Sequence, residues 1–137
     1  MQLNDYANKL LNVISVNPYI ESQNLSFEER PPNAAYISGT INFVDGSKLY
    51  FKEYVVFKPD DTIYLKFGYS YLDRRSALIF RYDNALDPKA KGLPTYPEHK
   101  HIANILTPAK RPLFKDLLME ISEEIRDKKH EQAESEL

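Results

Sequence analysis

Apolar positions along the chain follow two periods. Tyr6, Leu10, Val13 and Ile14 fall at helical spacing, with Asn4 as a candidate cap and Pro18 as the stop. From Tyr19 the period drops towards two. Residues 19–29 alternate loosely, Arg30-Pro31-Pro32-Asn33 reads as a turn, and Ala34 to Val44 reads as a second strand. Asp45-Gly46 then predicts a hairpin, because Gly tolerates the positive φ that such a turn needs. The third strand, 49–57, sets Leu49, Phe51, Glu53 and Val55 on one face and Tyr50, Lys52, Tyr54 and Val56 on the other. Residues 62–72 and 76–84 supply a fourth and a fifth strand, and 85–110 reads as a long loop. Leu113, Phe114, Leu117, Leu118, Ile121 and Ile125 mark a closing helix, with Pro112 suited to its first turn. Beyond Arg126 the apolar stripe ends, and 127–137 is expected to be a charged, frayed tail.

The expected fold is therefore α+β: a five-stranded antiparallel meander sheet with an N-terminal and a C-terminal helix packed on one face. Residues 1–126 form its single domain. A length of 137 residues with 42% hydrophobic and 28% charged residues suits one soluble globular domain. No apolar run is long enough to span a bilayer, and the N-terminus lacks the pattern of a signal peptide. Without cysteine there is neither a disulfide nor a thiolate nucleophile. A cytoplasmic protein without a membrane partner is expected.

The net charge of −2 hides an asymmetry. Asp116 to the end carries eight acids and three bases, whereas Arg74 to Arg111 carries eight bases and three acids. A basic middle segment fits a polyanionic partner, and it equally fits a solvated lysine-bearing loop.

The candidate chemistry flanks that loop. Arg81 and Asp83 are two residues apart on the fifth strand and share a face, opposite Phe80 and Tyr82. An ion pair along the strand is the simplest use for them; an anion held by Arg81, with Asp83 or Asn84 orienting it, is the other. His99 and His101 share one side of any extended segment, with Lys100 between them. Zinc asks for three or four ligands, and only Asp83, Asp87 and Glu98 are near in sequence, so no metal and no cofactor is expected. Acid–base work asks less, since one imidazole can take a proton and a neighbour give one while Lys100 or Arg81 opposes charge on a phosphorane. Two surface histidines beside a lysine remain the plainer alternative. The ten tyrosines suit base stacking on an open sheet face, and suit half-buried strand positions better. Glu53 stands in the apolar row of the third strand and needs a partner, for which Arg81 is the candidate.

Taken together, Phe43-x-Asp45-Gly46-Ser47-x-Leu49-x-x-x-Glu53, Phe80-Arg81-Tyr82-Asp83-Asn84 and Pro97-x-His99-Lys100-His101 resemble the TumE family. Its members are small prokaryotic proteins regarded as toxins of type II toxin–antitoxin pairs. Family members tend to read RYDNAPHHP and PHHKH, and this chain departs from them at Leu86, Asp87 and Glu98. The resemblance implies a toxin whose partner is a cognate antitoxin protein. Ribonuclease action, with RNA as substrate, is inferred from the His, Lys and Arg side chains. The expected catalytic residues are Arg81, Asp83, His99, Lys100 and His101; the expected substrate contacts are Tyr82, Asn84, Lys89 and Lys91. A homodimer is a further expected form. The contrasting readings are a non-enzymatic module that binds nucleic acid or a partner protein, and an inactive divergent relative.

Overall fold

The computed structural model describes residues 2–135. Helix α1 spans Leu3–Ser15. The strands follow as β1 (Ile20–Arg30), β2 (Ala34–Phe43), β3 (Lys48–Lys58), β4 (Asp61–Leu72), β5 (Leu78–Asp83), β6 (His99–Ile102) and β7 (Ile105–Pro108), and helix α2 spans Phe114–Ser135. All seven strands form one antiparallel sheet in chain order. The class is α+β as expected, but the sheet has seven strands and not five. The two extra strands come from the expected loop. HKHI and ILTP are four residues each, too short to show a period, and HKHI carries polar side chains on both faces.

Side chains alternate across the ladder, and one face is buried. Ile37, Ile41, Leu49, Phe51, Val55, Tyr69, Tyr71 and Phe80 line it, covered by Tyr6, Leu10 and Ile14 of α1 and by Phe114, Leu117, Leu118, Ile121 and Ile125 of α2. Among the described residues neither helix lies over the opposite face. α1 begins one residue before Asn4, so Asn4 lies inside the first turn; Gln2 holds the cap position without a side-chain bond. α2 runs through Ser135, past Arg126 where its apolar stripe ends.

Two turns are pinned by aspartates. At the β2–β3 hairpin Gly46 has φ +87°, and Asp45 accepts from the amide and hydroxyl of Ser47. The buried Ser47 hydroxyl in turn accepts from Tyr71, tying the turn to the core. Asp73 accepts from the amides of Arg75 and Ala77 between β4 and β5. A bulge in β4 opposite Tyr54 and Val55 shifts the alternation, so Tyr64 joins Phe67 in facing α1 and the core.

Glu53 does lie on the core face, but Arg81 projects from the other one, so the pairing expected between them does not form. The Tyr6 hydroxyl donates to Glu53 Oε1 at 2.7 Å, and the Tyr69 hydroxyl donates to Oε2. Arg111 donates to the Tyr69 hydroxyl at 3.2 Å and stacks 3.5 Å from the Tyr64 ring centre. One carboxyl thus joins α1, β3, β4 and the segment before α2. Burial pushes its pKa above the ordinary 4.5, against the downward pull of the two phenols and Arg111.

A raised carboxyl pKa gives stability that is complete below the unfolded-state value and is lost as pH rises through the folded-state value. The unfolding free energy of the wild type minus that of Glu53→Gln should therefore be largest at and below pH 4.5 and shrink above it, as read by urea titration over pH 4–8. A difference independent of pH would contradict this assignment. Glu53→Ala, which leaves two buried phenols without their acceptor, should cost about 1–3 kcal/mol.

Candidate functional site at the open sheet face

The β5–β6 ladder pairs Arg81 with His101, Tyr82 with Lys100, and Asp83 with His99. A two-residue period then sorts the motifs by face. Arg81, Asp83, His99 and His101 emerge together on the open face, while Tyr82 and Lys100 emerge beneath the sheet. The His-Lys-His run is divided by this alternation.

On the open side Asp83 is the centre. His99 Nε2 lies 3.0 Å from its Oδ1, His101 Nε2 lies 3.5 Å from its Oδ2, and Arg81 Nε lies 3.6 Å from Oδ2. The ion pair along the strand is therefore present, with the histidines added to it. Asp83 Oδ1 also accepts from the Ala85 amide at 2.9 Å, which fixes the carboxylate at the strand end. His99 is only 1% exposed, and its Nδ1 lies 2.8 Å from the Pro97 carbonyl. A carbonyl can only accept, so Nδ1 carries the proton and Nε2 points at Asp83. The two imidazoles meet edge to face with centres 4.9 Å apart. His101 is the more open ring; partial burial, with help from His99 and Arg81, pushes its pKa below the ordinary histidine value against Asp83 and Asp87.

Beneath the sheet Lys100 donates to Glu120 Oε2 of α2 at 2.6 Å and lies over the rings of Phe80 and Tyr82. The Tyr82 hydroxyl donates to Glu120 Oε1 at 2.6 Å. Burial opposes the charge on Lys100, but the hydrogen bonds to Glu120 and Tyr82 outweigh it and hold its pKa above the ordinary value. Lys100 and Tyr82 therefore tie the ladder to α2 and do not join the histidines.

Asn84 is also committed: its side-chain oxygen accepts from the Phe67 amide and its amide donates to the Leu65 carbonyl, closing the ladder beside the β4 bulge. Lys89 and Lys91 are exposed on and just after a short 3-10 turn, Pro88–Ala90, that Asp87 caps. Neither hydrogen-bonds or ion-pairs with Asp83 or the histidines.

Sequence reasoning missed the surface that leads to the cluster. An open groove of ≈ 480 Å³ crosses β1 to β5, lined by Ser38, Thr40, Tyr36, Tyr50, Lys52 and Ser70, and reaches Arg81. Gly68 stands opposite Asp83 and so leaves the floor bare between Lys52 and the carboxylate. The available signal was the run of polar residues alternating with the apolar row of β2 and β3.

A family model described as Toxin TumE matches residues 10–128. No curated protein and no solved structure matches the chain. No helix among the described residues is long and apolar enough to cross a membrane.

The division of the ladder is testable by NMR and unfolding. Asp83→Asn should shift the ring resonances of both His99 and His101. Lys100→Met should leave them in place while costing about 1 kcal/mol, the size of a partly buried ion pair. Histidine shifts in Lys100→Met as large as those in Asp83→Asn would contradict the separation.

Proposed function

The chain belongs to the TumE toxin family, and we propose that it acts on RNA, cleaving a single strand laid across the open sheet face. The observation that carries this reading is the polar groove that ends at Arg81, which lies 3.6 Å from Asp83 in the cluster with His99 and His101. Tyr50, 45% exposed, and Tyr36 offer rings on which bases can stack without regard to sequence. Lys52 and Arg81 offer charge to the phosphates. Where the sheet is unshielded by a helix, a chain of nucleotides has access to all of them at once.

The reaction that suits this geometry is attack by a 2′-hydroxyl oxygen on the adjacent phosphorus, with the 5′-oxygen leaving. The attacking hydroxyl gives its proton to an acceptor at the Asp83–His99–His101 cluster, and the leaving oxygen takes one from solvent. Arg81, on the groove side of Asp83, opposes the charge that builds on the phosphoryl oxygens. His101 is the cluster member open enough to touch substrate. A cognate antitoxin would neutralise the protein by covering this face or by holding the chain away from RNA.

Arg81→Ala and His101→Ala should each slow cleavage of purified total RNA by about 10²-fold or more and relieve growth arrest on expression without a partner, with circular dichroism unchanged. Wild-type protein that binds RNA and leaves it intact would favour a binding module over a nuclease. Undiminished growth arrest in both variants would remove the site from the mechanism.

A further inference from the structure

We propose that Asp83, His99 and His101 bind one divalent transition-metal cation of the zinc, cobalt or manganese class. This deepens the cleavage reading of the same face, on which its catalytic use rests. The binding itself can be measured without any activity.

The case begins with the lone pairs. With Nδ1 donating to the Pro97 carbonyl, His99 directs Nε2 at Asp83 Oδ1, 3.0 Å away, and a ring nitrogen facing a carboxylate oxygen at that distance needs a proton or a cation between them. His101 Nε2 adds another nitrogen 3.5 Å from Oδ2. One ligand atom from each of the three residues lies within 4.8 Å of the others. A proton would satisfy one of these contacts; a cation satisfies all three together.

The spacing also suits an ion. Bonds of about 2.0–2.1 Å at tetrahedral angles put neighbouring ligand atoms about 3.3 Å apart, and the two histidine–carboxylate separations straddle that value. Contracting the widest gap asks only for a rotation of the His101 ring, which is partly exposed. The buried ring is already locked by a backbone carbonyl on its far nitrogen, the usual outer partner of a ligating histidine. Two imidazoles with one carboxylate favour a transition metal over magnesium or calcium, which prefer oxygen donors.

Three protein ligands would leave a position for water or substrate, and Arg81, which lines the groove, lies 3.6 Å from Asp83 beside it. Such an ion would polarise a phosphoryl oxygen or lower the pKa of a bound water, whose hydroxide form, after loss of a proton to solvent, would be the proton acceptor in place of a free ring. Sequence spacing alone left the histidine pair short of ligands. The β5–β6 register supplies the missing one, since Asp83 is sixteen residues from His99 in the chain and directly opposite it in the sheet.

The test uses the full-length protein stripped with a chelator and titrated with Co²⁺, read by visible absorption and by calorimetry. One equivalent of Co²⁺ per chain is expected, with affinity falling at least 100-fold in His101→Ala and Asp83→Asn, both checked for fold by circular dichroism. His130→Ala, on the exposed part of α2, should bind like the wild type and so exclude a chance surface site. Zn²⁺ should raise the melting temperature of the wild type and leave that of His101→Ala unmoved. No saturable binding by the wild type, or wild-type binding by His101→Ala, would overturn the proposal. Ion binding by a protein that leaves RNA intact supports this site and defeats the nuclease reading; RNA cleavage by a stripped protein that binds no ion does the reverse.

Discussion

Asp83 facing His99 across the β5–β6 ladder is the contact from which the candidate site follows. Once these two residues are opposite each other, the pleat places Arg81 beside His101 on the same face and turns Tyr82 and Lys100 to the other. A slip of one residue in β6 would bring Lys100 up to Asp83 and send both histidines under the helices. The chemistry is thus a property of register, and register has to be held by something outside the site.

The covered face holds it. Glu120 of α2 accepts from Lys100 on β6 and from Tyr82 on β5, so the two strands are gripped from below at the rung between Asp83–His99 and Arg81–His101. Further in, Glu53 gathers Tyr6 and Tyr69, and Arg111 closes the same network next to the start of α2. Burying polar groups costs free energy unless each has a partner, and here no buried side-chain nitrogen or oxygen among the described residues lacks one. A network satisfied in only one arrangement specifies position more sharply than apolar packing does, which is what a short four-residue strand such as β6 needs.

What could be read from the sequence follows from the same division. The helices and the first five strands declare themselves through apolar periods, clearest in Leu49, Phe51, Val55 and Phe57 of β3 and looser in β1 and across the β4 bulge. β6 has polar side chains on both faces, Lys100 gripped by Glu120 and the two histidines in the site, and β7 is only four residues long, so no period betrays either as a strand. Arg81, Asp83, His99 and His101 were legible as a group because they were close in type and in motif. That Lys100 belongs elsewhere was not, since adjacency in sequence says nothing about face until a strand is recognised. The Glu53–Arg81 pairing failed because the turns set the parity of β3 and β5: Glu53 stands opposite Phe67 on the covered face, and Arg81 opposite Ser70 on the open one.

The positions where this chain departs from its family pattern can be weighed by what they do here. Glu98 uses its carboxylate to accept from the Arg111 amide at 2.8 Å, which anchors the segment leading into α2. Asp87 caps the short turn after β5 through the Lys89 amide, and Leu86 is 78% exposed. None of the three supplies an atom to the Asp83–His99–His101 group. The strand pairing that assembles that group is intact in this chain. The departures therefore fall in the segment between β5 and β6 and leave the Asp83–His99–His101 group itself in place.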